Sequence, residues 1–269
     1  MQNIIFEQET MKRSDRTTGM KGSMQRRIIV LSCVLAVMIS AVTPAWASGD
    51  GAALQHANTD VSNIGSLQRG ARNFVNYCMG CHSAKYVRYN RLAKDLQISE
   101  EQLIDNLMFT GGKPHDTMQI SMPADDAARW FGTTPPDLSL IARSRGPDFL
   151  YSFLKSFYID ESRPTGFNNL FMDSVAMPHV LWELQGTQRA IFEEHEHGSV
   201  FKGFEPVSNG SMSAEEYDQF VLDLVNFLEY IGEPVQLQRR QLGIWVLIFL
   251  LVFGLFSYAL KQEIWSDVK

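Results

Sequence analysis

Cys78-Met79-Gly80-Cys81-His82 holds the clearest chemistry in this 269-residue chain. Two thiols separated by two residues, with an imidazole directly after the second, form the attachment signature of haem c. Each S–H adds across one vinyl group of the porphyrin and leaves a thioether. The x-x spacing separates the sulfurs by about one helical turn. The adjacent histidine is then directed at the iron as the proximal ligand. A thioredoxin-like C-x-x-C would require a βαβ setting, which the surrounding helical pattern lacks. A structural zinc would require a second ligand pair, and the remaining cysteine, Cys33, lies far upstream. The motif therefore predicts one covalent haem c on Cys78 and Cys81, with His82 on the iron.

A single haem needs a sixth ligand, and the residues leave that choice open. Met79 sits inside the attachment loop and cannot reach the far face. Met108 falls at an apolar position of a predicted helix and reads as core. Met212 sits just before a helix cap. Met122-Pro123 and Met177-Pro178 each place a methionine in a loop stiffened by the following proline, and they are the main candidates. Met172 and His179 stand behind them. His/Met ligation would raise the potential relative to bis-histidine. Arg143 and Arg145, at a loop-to-helix junction, are candidate partners for a haem propionate or else surface charges. Pro135-Pro136-Asp137-Leu138 reads as a rigid turn, either a wall at the haem edge or a connection. Glu193-Glu194-His195-Glu196-His197 reads as a solvated loop, with metal binding through His195 and His197 as the alternative.

These residues must be carried on a folded domain, and the two ends of the chain read as something else. Arg26 and Arg27 precede an apolar run from Ile28 to Val42, followed by Ala45-Trp46-Ala47, which together read as a secretory signal cleaved before Ser48. Cys33 lies within that run and would leave with it. Leu242 to Leu260 is a run of 19 residues without a charge, roughly 28 Å as a helix, close to the hydrocarbon thickness of a bilayer. Trp245, Tyr258 and Trp265 sit near its ends, as interfacial aromatics do. The expected organisation is thus a signal over 1–47, an exported haem domain over 48–240, an anchor over 241–260 and a cytoplasmic tail over 261–269. Arg239 and Arg240 would then flank the exported side, against the positive-inside rule, with the signal setting the orientation.

Composition agrees with this division. The chain is 45% hydrophobic with three cysteines, too apolar for disorder and too poor in cysteine for a disulfide scaffold. A mean hydropathy of −0.12 excludes a polytopic membrane protein. The net charge of −6 argues against nucleic acid as a partner. Residues 1–47 contain six Lys/Arg and three Asp/Glu, so the remainder holds 18 basic and 27 acidic residues, a net charge of −9. That surplus suits a basic docking partner.

Helix signals dominate the middle. Leu67, Ala71, Phe74, Val75 and Cys78 share one helical face that leads into the motif. Ser99 with Gln102, and Ser213 with Glu216, read as capping boxes. Gly111-Gly112 reads as a stop for the helix after Ser99. Gly146-Pro147-Asp148 places a proline in the first turn of a helix running through Phe149–Tyr158. Gly232 and Pro234 close the helix that bears Phe220, Val221, Leu224, Leu228 and Ile231. The stretches 111–137 and 159–212 read as long loops. The fold expected is all-α: a class I cytochrome c-like haem domain with long loop insertions and one C-terminal transmembrane helix.

The stretch from Leu67-Gln68-Arg69-Gly70-Ala71-Arg72-Asn73-Phe74 through Cys78-Met79-Gly80-Cys81-His82-Ser83 to Tyr86-Val87-Arg88-Tyr89 resembles the cytochrome c1 family. So do Pro135-Pro136-Asp137-Leu138-Ser139, Arg143-Ser144-Arg145, Met177-Pro178 and the single C-terminal anchor, in that order. The likeness runs over about 60–260. It implies the haem-c subunit of a ubiquinol–cytochrome c reductase (cytochrome bc1) complex in a bacterial inner membrane, with the haem domain in the periplasm. Such a subunit sits beside cytochrome b, accepts an electron from the Rieske iron–sulfur protein and passes it to a soluble cytochrome c. The resemblance also implies Met177 as the distal ligand, Arg145 as the propionate arginine and Pro136 as a wall of the haem pocket. Two positions depart from the family pattern: Phe149 stands where an aromatic hydroxyl is expected, and His179 lies beside the Met177-Pro178 pair. The rival reading is a membrane-anchored cytochrome c acting as a tethered carrier or as the haem subunit of a terminal oxidase.

Overall fold

The computed structural model describes residues 52–110, 112–195 and 198–266. The expected signal, with Cys33 in it, lies outside these residues. Helix α1, Ile64–Tyr77, begins where the Asn63 side chain accepts from the Ser66 amide. Strand β1, Ala84–Arg88, runs directly into α2, Tyr89–Asp95, and α3 follows over Glu100–Leu107. Strand β2, Thr117–Met118, pairs antiparallel with β1. Helices α4, Ala124–Phe131, and α5, Ile141–Arg145, precede α6, Pro147–Lys155. Strands β3, Phe157–Ile159, and β4, Phe167–Asn169, pair antiparallel, and α7, Trp182–Gln185, leads into β5, Gly186–His195, and β6, Gly198–Asn209. Helix α8, Ala214–Gly232, and α9, Gln236–Ile264, end the described chain.

The helix starts follow from local chemistry. Both expected capping boxes form, at Ser99/Gln102 and Ser213/Glu216, each satisfying an amide that the first turn would leave unpaired. Pro147 sits in the first turn of α6 after Gly146, whose φ of 86° few side chains tolerate.

α1 and α8 pack face to face and form the centre of the core. Leu67, Ala71 and Phe74 from one helix, and Val221, Leu224, Val225 and Phe227 from the other, are each at most 1% exposed. The helices approach closely at Gly70, where a Cβ would lie 2.1 Å from the Asp223 carbonyl oxygen. A polar clamp crosses the same interface. Asp223 accepts from Arg69 Nε at 2.6 Å and from Ser66 Oγ at 2.7 Å, and Asn226 donates to Ser66 Oγ at 3.0 Å. Burying that carboxylate is tolerable because its oxygens are paired.

The domain is mostly helical, but it is not all-α. Stretch 111–137 contains β2 and α4, and stretch 159–212 contains β4, α7 and the β5–β6 hairpin. Strands of two or three residues are too short to show a period. The hairpin is long, but its register breaks between Thr187 and Gln188 and between Ile191 and Phe192, and each break interrupts the inside–outside alternation. The helix opened by Pro147 stops at Lys155, because Phe157 leaves it to pair with Asn169. The helix after Ser99 ends at Leu107, before the glycines, and Met108 caps it half-buried against the core.

Helix α9 is 29 residues long, about 43 Å at the usual rise. It is long and apolar enough to cross a membrane, and none of its residues is buried within the chain. Leu247 is 68% exposed and Phe256 73%, which water would not tolerate over such a length.

Candidate functional site

The attachment motif continues from α1. Cys78 and Met79 both donate from their amides to the Phe74 carbonyl, and His82 donates from its amide to Cys78 at 2.9 Å. The turn is thus wound tightly at the end of a helix whose other residues are locked in the core. Met79 is buried beneath it, and the Tyr89 hydroxyl donates to its sulfur at 3.6 Å. The two thiols are half-buried and are not joined to each other.

His82 Nδ1 lies 2.7 Å from the Pro136 carbonyl oxygen. A carbonyl can only accept, so Nδ1 carries the proton and Nε2 is left with a free lone pair. Burial, partly offset by that carbonyl and by Asp137, lowers the His82 pKa. The ring is therefore neutral at neutral pH, as a metal ligand must be.

The segment containing Pro136 is laced to the residues after His82. Leu138 donates to the Ser83 carbonyl at 2.8 Å, Asp137 accepts from the Lys85 amide at 2.9 Å, and Ser139 Oγ accepts from the Tyr86 amide at 3.1 Å. The resemblance implies Pro136 as a wall of the pocket. Its side chain is exposed, and the contact it makes with His82 is through its carbonyl.

The remaining predicted residues separate into engaged and available groups. Arg143 is bound to Glu233 at 2.7 Å. Arg145 ends α5, is exposed, and lies with its guanidinium carbon 5.5 Å from the Phe149 ring centroid. Met177 is half-buried against the core, whereas Met172 is 36% exposed. His179 is 3% exposed, stacks on Phe157 and meets Phe167 edge-on. Burial holds its pKa down to about 4, with Gly186 and Gln185 offsetting only part of the effect. Glu193 and Glu194 lie on strand β5 rather than in a loop, and Glu193 pairs with Lys202 at 2.8 Å. His197 lies outside the described residues.

The donor set suits a covalently held haem. Burial, and secondarily the neighbouring Cys81, pushes the Cys78 thiol up to about 12. Surroundings that penalise a thiolate so strongly accept an uncharged thioether without penalty. The Pro136 carbonyl already holds His82 in the tautomer that presents Nε2 to an iron.

Residues 56–268 match the family model described as Cytochrome C1 family. The chain belongs to the cytochrome C1 family. Membership implies haem c. Cytochrome c1 of Allochromatium vinosum is 50% identical over 234 residues, covering 86% of this chain and 96% of that protein. The ammonia monooxygenase gamma subunit of Nitrosomonas europaea is 44% identical over 244 residues, covering 90% and 98%. Among solved structures, a chain of a hyperthermophilic respiratory complex III is similar over 90% of this chain and 99% of its own, at 14% identity and a TM-score of 0.39.

Sequence reasoning missed three parts of this site. The Pro136 carbonyl was hidden because a backbone role leaves no mark on residue type. The Tyr89 hydroxyl was hidden because its partner, Met79, was read only as a spacer. The series Phe149, Phe153, Phe157 falls at a four-residue spacing within one predicted helix, but the helix ends at Lys155 and Phe157 belongs to β3.

Proposed function

We propose that this chain is the haem-c electron-transfer subunit of a cytochrome bc1 complex, taking electrons from a Rieske iron–sulfur protein and passing them to a soluble cytochrome c. The family match over residues 56–268 carries this reading, because it takes in both the C-x-x-C-H site and the C-terminal helix. Haem c, when bound, supplies an iron that accepts and releases one electron.

The chain's own residues do the rest. Cys78 and Cys81 would hold the group through two thioethers, so that it could not dissociate. His82 would ligate the iron through Nε2, with the Pro136 carbonyl holding its orientation. Met177 is the proposed sixth ligand, supported by its half-buried place against the core and by the proline after it. Arg145 is the proposed propionate partner, supported by the engagement of Arg143 with Glu233. A fixed His/Met pair keeps reorganisation small and the potential positive.

The proposed organisation is a cleaved signal over 1–47, a periplasmic domain over 48–240, an inner-membrane anchor over 241–260 and a cytoplasmic tail. The net charge of −9 after removal of 1–47 favours a basic acceptor, and reduction of that acceptor slows as salt is added.

The test is affinity capture of the full chain from mild-detergent membranes, followed by a reduced-minus-oxidised spectrum. Copurifying b-type haem, with quinol-dependent reduction of cytochrome c, supports the proposal. Haem c alone, or haem c with an oxygen-reducing oxidase, would move the chain to the tethered-carrier or oxidase reading. Copurification with an ammonia-oxidising enzyme, the name borne by the Nitrosomonas europaea relative, would overturn it as well.

A further inference from the structure

His179 is an unusual residue to bury. It is 3% exposed, and its Nε2 has no hydrogen-bond partner. Leaving a buried polar atom without a partner is destabilising, so something else about the ring must keep it there. Its ring lies 3° from parallel with Phe157 at 5.1 Å between centroids, and Phe167 meets it at 71° and 5.4 Å. The two strands of the β3–β4 pair thus each press one aromatic ring on the imidazole.

The stack does not end there. Phe157 meets Phe153 edge-on at 5.1 Å, Phe153 stacks on Phe149 at 6.0 Å, and the Arg145 guanidinium carbon lies 5.5 Å from the Phe149 ring centroid. One column of rings therefore runs from Arg145 to His179. Met177 lies two residues before its end. On the other side of Met177, the Ser174 amide donates to the buried Asn168 side chain at 3.0 Å, and Asn168 belongs to β4. The Met177 loop is therefore pinned before and after the methionine, and both pins reach the same two-stranded sheet.

We propose that His179 is a positioning residue whose ring, clamped by Phe157 and Phe167, fixes where Met177 presents its sulfur. This rests on Met177 being the distal ligand. What counts is the shape and stacking of the ring: Nε2 bonds to nothing, and the imidazole's polar contacts with Gly186 and Gln185 reach α7 and β5 rather than the Met177 loop. Phenylalanine reproduces the ring and removes both nitrogens, the unpaired Nε2 and the one that serves Gly186 and Gln185. Leucine fills similar volume but cannot stack.

The experiment uses the haem-loaded full chain in detergent and reads the methionine-to-iron charge-transfer absorption and the midpoint potential. Met177→Leu is expected to abolish the band. His179→Phe is expected to keep both the band and the potential. His179→Leu is expected to lose most of the band and lower the potential while retaining the covalent haem. If His179→Leu accumulates poorly, Phe157→Leu removes the clamp while leaving the histidine, and the same partial loss is expected. A full band in both leucine variants at positions 179 and 157 would overturn the positioning role. Loss of the band in His179→Phe would overturn it too, by assigning the role to a ring nitrogen. An intact band in Met177→Leu would overturn the ligand reading itself, a different failure from the other two.

Discussion

The segment that carries His82 and the segment that carries Met177 are held in place by different kinds of contact. The first leaves the end of α1, a helix packed along its length on α8 and tied to it by the Asp223 clamp. Its histidine is oriented by a backbone carbonyl at 2.7 Å. The second is a loop between short elements, pinned by Asn168 at one end and by stacked rings at the other. Helix packing spreads its stabilisation over many buried side chains, so one substitution at the surface changes little. A loop with two pins depends on each of them. Damage near α1 and α8 should therefore cost stability with little change at the haem, and damage to the ring column should change the methionine-to-iron contact as well.

The largest effect is expected at Gly70, where an added methyl would sit 2.1 Å from the Asp223 carbonyl oxygen and 2.6 Å from the Phe227 Cβ. Gly70→Ala must push the two helices apart, at a cost of about 3 kcal/mol or more. Thermal denaturation of the haem-loaded protein should show this as a large fall in Tm, and an unchanged Tm would mean that the helices separate easily.

Asp223→Ala comes next. It strands Ser66, Arg69 and Gln219, all of which donate to that carboxylate. Arg69 is about half exposed and can rehydrate, so the expected loss is about 2 kcal/mol rather than the full cost of a broken buried pair. Denaturant titration measures it, and the charge-transfer band should stay unchanged.

The comparison is sharpest with two phenylalanines that are both essentially buried, Phe74 at 0% exposure and Phe157 at 1%. Either one changed to leucine should cost about 1–1.5 kcal/mol. Phe157→Leu alone should weaken the methionine-to-iron band. Equal spectra from the two variants would erase the distinction between the two segments. The smallest effect is expected at Ser99, whose capping box lies on α3. Ser99→Ala should lose about 1 kcal/mol with no spectral change, a baseline for the others.

Much of the helical framework was legible in sequence because its signals are local. The face of Leu67, Ala71, Phe74 and Val75, the capping boxes at Ser99 and Ser213, and Pro147 in the first turn of α6 all act within one or two turns. The strands were not legible. β2 has two residues, β3 and β4 three each, and β5–β6 is interrupted twice in register. β1 finds its partner only beyond two helices, and the β5–β6 hairpin, though local, loses its alternation at each break in register.

Within the site, the same division holds. Residue type and spacing alone determined that Cys78, Cys81 and His82 form an attachment motif, since thioether chemistry requires two thiols at that separation and a histidine beside them. They also determined that the segment from Leu242 to Leu260 is long and apolar enough for a membrane, because length and the absence of charge suffice for that conclusion. Only the tertiary structure decided that Pro136 accepts from His82 through its carbonyl, that Arg143 is engaged by Glu233 while Arg145 faces Phe149, and that His179 is clamped between rings from two strands. Apart from the local contact of Arg145 with Phe149, each of these joins residues more than ten positions apart. Such contacts depend on where the backbone returns in space, and one-dimensional spacing does not encode that.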